Sequence, residues 1–430
     1  MDGTSGITQC HIQPNASVTY TFTPDKAGTF WWHSHFSYQY AFGLRGPLIV
    51  HAPTDQLQSW EKNIDGEYTI QLADMYHATP GHVAPMWDTI LINDLGRYNC
   101  TAAASHGYND CSDDQPLSTF RFEQGKKYRL RVINMAALAP FVFSIDDHEL
   151  QVIAADAELV EPTDLITNVT INAGQRYDLI VQAKSTTNGG PIGSFWMRAT
   201  GLYGVPWTAA SPETAGEGFN DVGLGIVHYE ADAAIEPTSI AQAKMSTIGE
   251  FEYTPLNKTT LPKTPSDRTI LKFDFASGLG YFSIDGSELN HFMVPDDPPL
   301  FSIANGSTTA DLPTSINARA ISFGDHVEAV LVNVMNDQHP FHMHSHTPWV
   351  IGSGTASLED IQNNNLPAMN LDVRFNADNE GVWIMHCHID WHLDGGLAMV
   401  FVEGEKEIQT AGLSAFSNNV LSVCGMKYTS

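Results

Sequence analysis

One phrase recurs three times along the chain and confines the fold more than any other feature. Gly28-Thr-Phe-Trp-Trp-His33-Ser-His35 returns as Gly193-Ser-Phe-Trp-Met-Arg198-Ala-Thr200 and as Gly381-Val-Trp-Ile-Met-His386-Cys-His388. Self-similarity at long spacing marks a repeated structural unit. A second phrase lies upstream of two copies: Gly125-Lys-Lys-Tyr-Arg-Leu-Arg-Val-Ile-Asn134 and Gly324-Asp-His-Val-Glu-Ala-Val-Leu-Val-Asn333. Residues 128–133 and 271–275 alternate with period two, and 68–72, 177–181, 327–334 and 398–402 are further β-rich runs. Gly, Pro, Asn and Asp punctuate them, and no long segment keeps a helical period. The chain is therefore all-β, with one sandwich or barrel type used three times. The copies end near residues 52, 200–235 and 403. About 50 residues are too few for an independent sandwich, so the chain is expected to begin inside its first domain.

Length agrees with this count: 430 residues against about 150 per domain gives roughly three. The net charge of -28 repels a nucleic-acid backbone or an anionic membrane. No apolar run reaches the length of a membrane span, and no N-terminal stretch resembles a signal peptide. Five sequons occur, at Asn15, Asn99, Asn168, Asn257 and Asn305. With five cysteines, an odd number, one thiol stands outside any pair. Cys387, between two histidines, is the candidate; Cys10, Cys100, Cys111 and Cys424 remain for two disulfides. Sequons and paired cysteines together point to a secreted protein whose leader is not in this chain.

Nine of the 18 histidines fall in three short stretches: His33-Ser-His35, His339-Pro-Phe-His342-Met-His344-Ser-His346 and His386-Cys387-His388-Ile-Asp-Trp-His392. On a strand, His-x-His turns both imidazoles to one face and the middle residue to the other. His386 and His388 then serve one metal site, and Cys387 a second site behind it. Cys387, His392 and His339 form a His₂Cys set, the ligand set of a blue-copper centre. Zinc also takes Cys and His, but structural zinc sites use more cysteines. Scattered histidines such as His11, His51, His148 and His291 read as surface or hydrogen-bonded residues.

On these motifs the chain resembles the fungal multicopper oxidases, the laccases and the related ferroxidase and pigment-forming enzymes. The resemblance spans nearly the whole sequence. It implies three cupredoxin-like Greek-key β-sandwich domains, the first incomplete: 1–53, 54–235 and 236–430. It implies type 1 copper on His339, Cys387 and His392, and a type 2/type 3 copper cluster between domains one and three. His342 would bind type 2 copper, and His33, His35, His344, His386 and His388 the type 3 pair. Leu397, ten residues after Cys387, takes the axial position without coordinating, which favours Cu(I). Asp2 and Asp390 match carboxylates near the cluster that serve proton delivery during oxygen reduction. Cys10–Cys424 matches a family disulfide, and Cys100–Cys111 would close a local ring.

The implied activity is one-electron oxidation of phenols or aromatic amines coupled to reduction of O₂ to water. Electrons would enter through His392 and pass Cys387 to His386 and His388. Fe(II) oxidation is the runner-up. It needs carboxylates beside His392, for which Glu161 and Asp164 are candidates. A non-catalytic copper protein or inactive fragment is the third reading. The family's first His-x-His, within His-Trp-His-Gly, is absent from the sequence, so six of the usual eight cluster histidines are present. The expectation is impaired oxygen reduction, with His11, His51 and His77 as the first substitute ligands to test. The expected partners are a small phenolic or metal-ion reductant and O₂, with no nucleic acid and no membrane span, for a monomeric chain.

Overall fold

A computed structural model describes residues 2–77, 84–103, 107–187, 190–208, 219–230, 235–242, 245–258, 264–355 and 371–426. Met1, and Thr259 of the Asn257 sequon, lie outside the described residues. The chain divides into two compact units. One comprises Met1–Phe22, His35–Ser37 and Thr260–Ser430; the other comprises Thr23–Ser34 and Tyr38–Thr259.

In the second unit, a six-stranded sheet runs in the order Thr89–Ile92, Gly66–Met75, Lys127–Asn134, Arg176–Gln182, Leu150–Ala155, Glu158–Leu159. A five-stranded sheet runs Asn168–Ile171, Phe141–Ile145, Ser194–Gly201, Val222–His228, Ser118–Arg121. The hairpin of Gly28–His33 with Arg45–Val50 completes the unit's strands among the described residues. Four of the five repeated phrases lie on interior strands of their sheets, and the Gly28 copy lies in the two-stranded hairpin. Lys127–Asn134 buries both faces, arginines included. Arg129 donates to Asp178 Oδ2 at 3.0 Å and to Glu61 Oε1 at 3.0 Å, and Arg131 lies 2.8 Å from Glu67. Buried charge is tolerable here because every guanidinium faces a carboxylate.

The first unit repeats this plan. Its five-stranded sheet is ordered Leu279–Ile284, Asp267–Ala276, His326–Asn333, Leu371–Asn376, Trp349–Gly352. Its four-stranded sheet is ordered Ala318–Ile321, Ala398–Glu403, Gly381–Cys387, Phe341–Met343. Lys127–Asn134 and His326–Asn333 each pair parallel with an earlier strand and antiparallel with a later one. Ser194–Gly201 and Gly381–Cys387 each pair antiparallel with the strand that follows them. The repeat in the sequence is thus a repeat in strand pairing. Ile7, Phe292, Phe301, Ile303, Val400 and Val402 lie in one hydrophobic core of this unit.

Two disulfides are present, Cys10–Cys424 and Cys100–Cys111, and Cys387 is free and buried. Asn15, Asn99 and Asn305 are exposed. Asn168 is buried, and its Nδ2 donates to Ser246 O at 3.1 Å. No helix among the described residues is long and apolar enough to cross a membrane.

Candidate metal centres

All seven residues of strand Gly381–Cys387 are buried, so its alternation has consequences on both faces. The strand pairs antiparallel with Phe341–Met343, setting His342 opposite His386 and Phe341 opposite Cys387. His339 precedes Phe341 by two residues and returns to the Cys387 face.

On that face three donors converge. Cys387 Sγ lies 3.6 Å from His339 Nδ1 and 3.6 Å from His392 Nδ1, and the two imidazole nitrogens are 3.1 Å apart. His392 is held in the short helix Asp390–Asp394. Phe275 lies against both rings, at 5.6 Å from His339 and 4.6 Å from His392. Burial, then His339, pushes the His392 imidazole down to about 3. Burial pushes the Cys387 thiol far above its usual range. A buried neutral thiol has little to gain in this packing. A bound cation would turn it into a thiolate ligand and reverse that logic. Two nitrogens and one sulfur fit copper. Leu397 is fully buried beyond this site, and its carbonyl accepts Cys387 N at 3.1 Å. Asp337 stands 3.5 Å from His339 Nε2. Burial raises the Asp337 carboxyl, but His339 and His392 outweigh it and hold the group below its ordinary range.

On the opposite face His35, His342, His344, His386 and His388 gather. His35 Nε2 and His386 Nε2 are 3.2 Å apart. Ring centroids lie 5.1 Å apart for His35 and His344, 4.9 Å for His342 and His344, and 5.5 Å for His342 and His388. Burial, then the neighbouring imidazoles, drives the His386 ring well below its ordinary range. Asp2 contacts His344 Nδ1 and accepts Thr8 Oγ1 at 2.8 Å and Thr4 N at 3.2 Å. Burial opposes ionisation of Asp2, yet His344 and these donors hold the carboxyl well below its usual range. With Nδ1 engaged, His344 turns its Nε2 inward, buried and without a hydrogen-bond partner among the described residues. Such an arrangement fits a metal ligand fixed by a carboxylate behind it. His35, His344 and His386 form one candidate metal group, and His339, Cys387 and His392 the other.

The remaining expected residues lie as follows. Asp390 is buried at the start of its helix. His33 belongs to the second unit, where its ring packs at 4.4 Å on Trp31 and 4.8 Å on Tyr40. Glu161 is exposed and lies 3.0 Å from Lys258, and Asp164 is exposed, both in the second unit. His148 Nε2 meets Tyr229 OH at 2.7 Å, and His291 Nδ1 donates to Gly280 O at 3.0 Å. His11 contacts Ser5, His51 lies 3.8 Å from Glu67, and His77 lies 3.2 Å from Asp88. In the middle copy of the repeat, Arg198 and Ala199 replace His386 and Cys387, and Arg198 donates to Asp146 at 2.9 and 2.8 Å. An ion pair occupies the place of an imidazole there. Sequence reading missed Thr4, Thr8 and Asp337. Asp337 alone carried a local signal, two residues before His339.

Family models described as multicopper oxidase match residues 1–55, 60–231 and 292–407. The chain belongs to the multicopper oxidase family. It is 34% identical to Laccase-5 of Trametes versicolor, over 95% of this chain and 77% of that protein. It is 34% identical to a laccase of Phlebia radiata, over 95% of this chain and 76% of that one. The solved laccase of Botrytis aclada superposes with a TM-score of 0.79 at 27% identity, covering 99% of this chain and 78% of that chain. As a multicopper oxidase, the chain uses copper of types 1, 2 and 3, and the two donor groups are candidates to hold it.

Proposed function

We propose that this multicopper oxidase is a laccase-like enzyme that oxidises phenols or aromatic amines in one-electron steps. Four donors each lose one electron, and one O₂ takes up four electrons and four protons to give two waters. The observation that carries this reading is strand Gly381–Cys387, which offers a thiol to one donor group and an imidazole to the other from adjacent residues. When bound, copper supplies the one-electron redox chemistry at both groups. His339, Cys387 and His392 would hold type 1 copper, with Leu397 packed beside them. His342 would hold type 2 copper, and His35, His344, His386 and His388 would hold type 3 copper.

The chain's own residues supply the rest. Peptide bonds join Cys387 to His386 and His388, so a short covalent path links the two groups. Phe273 and Phe275 pack on His339 and keep water from the thiol side. Asp2 holds a proton at His344 Nδ1 and so fixes the ring's tautomer. Asp390, buried beside the His388 end of the strand, serves as a proton store for oxygen reduction. The modules at 54–235 and 236–430 are the second and third cupredoxin domains. Two disulfides and the exposed sequons support secretion, and the enzyme acts as a monomer.

The test uses copper-loaded protein with a phenolic donor and Fe(II) in parallel. A strong thiolate-to-copper band is expected, and Cys387→Ser should abolish it. Oxygen uptake with the phenol should match one O₂ per four donors. Uptake with Fe(II) alone would make the protein a ferroxidase. A blue protein without uptake would make it a non-catalytic copper carrier.

A further inference from the structure

His346, the fourth histidine of the second cluster, is not among the ligands above, yet its surroundings are closely built. Its Nε2 lies 3.1 Å from Oε2 of Glu403, whose side chain is fully buried. The two atoms face each other off the line of a hydrogen bond. The other oxygen of Glu403 accepts Asn379 N at 2.6 Å. Asn379 in turn donates from Nδ2 to Ser345 Oγ at 2.6 Å, and its carbonyl accepts Trp383 Nε1 at 2.8 Å. The His346 ring rests on Phe375 at 5.0 Å.

Between His344 and His346 the backbone does something unusual. Ser345 has φ +74°, a left-handed conformation that a residue with a Cβ avoids. His344 N is tied to Ile384 O at 3.0 Å just before this turn. A strained turn persists only where its surroundings over-determine it. Here those surroundings are Asn379, His346 and Glu403, and the turn is the one that aims the His344 ring at the imidazole group.

We infer that His346 and Glu403 are positioning residues, a buried pair that holds the Ser345 turn and so fixes His344 toward the cluster. The inference rests on the copper reading of that group. A pair buried only for stability would lower the melting temperature and weaken both metal groups together. A positioning pair should affect the cluster alone, because among the described residues it makes no hydrogen bond or ion pair with His339, Cys387 or His392.

The experiment uses the full chain and copper alone as probe, comparing the parent protein with Glu403→Gln, His346→Leu and His346→Gln. Glu403→Gln keeps the shape and the acceptor for Asn379 but puts an amide N–H in place of the oxygen facing His346. It should keep the thiolate band, weaken cluster copper binding by about tenfold, and change the electron paramagnetic resonance spectrum of cluster copper. His346→Leu should do the same. His346→Gln, which returns a donor facing Glu403, should recover part of the loss. Parental cluster affinity and spectrum in the folded variants would overturn the inference, as would parallel loss of both copper signals. If Glu403→Gln does not fold, the two His346 variants decide. A parent that binds no copper would instead overturn the copper reading itself.

Discussion

Gly280 sets the tolerance of the thiol site more tightly than any ligand does. A Cβ there would stand 2.7 Å from Leu397 Cβ and 2.8 Å from Leu397 N. Those atoms belong to the segment whose carbonyl receives Cys387 N, so the segment would have to move. Gly280→Ala should cost about 1–3 kcal/mol by overpacking, read in thermal unfolding, and should shift the thiolate band. An unchanged band would mean that Leu397 does not shape the site. The histidine clusters were legible at this scale because nine histidines crowd three short stretches, a density that packing does not explain. Glu403 and Asn379 were not legible. A carboxylate in a Val-Phe-Val-Glu run carries no mark of its partner until the sheet sets it beside His346.

Element by element, the period-two pattern gave the right strands, and for strand Gly381–Cys387 it also gave the division of side chains between two faces. It said less about solvent. The arginines of Lys127–Asn134 occupy what an alternating strand usually offers to water, yet Arg129 and Arg131 are buried against Asp178, Glu61 and Glu67. Only tertiary partners make that burial affordable, and they come from distant segments. The disulfide Cys10–Cys424 ties two segments with a sequence separation of 414. Its removal by Cys10→Ser with Cys424→Ser should lower stability by about 2–5 kcal/mol, measured by denaturant midpoint. The thiolate band should survive at low denaturant, since neither cysteine touches its ligands. Loss of that band in the folded variant would show that the staple also shapes the metal site.

At the scale of the whole molecule, one buried group in each unit should respond to acid in the opposite sense to the other. In the second unit, burial pushes His148 down to about 4 from an ordinary value of 6.5. The unfolded chain then binds the proton first, so this contribution is full above 6.5 and is lost as pH falls through 4. The difference amounts to about 3 kcal/mol. In the first unit, burial, with Glu328 adding to it, pushes Asp372 up to about 6 from 3.8. Its contribution is full below 3.8 and is lost as pH rises through 6. Calorimetry between pH 4 and 7 should therefore show the unfolding of the second unit moving down in temperature with acid. His148→Gln should flatten that slope, and an unaltered slope would assign it to other groups. The repeat foretold that modules of one plan recur. It could not foretell that His148 would be pushed down and Asp372 up, because both depend on what is packed around them.

The thiol and the imidazoles of Gly381–Cys387 and its following residue share one reading frame. Inserting or deleting a single residue there would swing Cys387 into the imidazole pocket and a histidine into the thiol pocket, wrecking both centres at once. Neither centre can therefore drift in length independently of the other. Descent with modification is left to act on the loops around this strand, and the strand itself passes down as a single indivisible character.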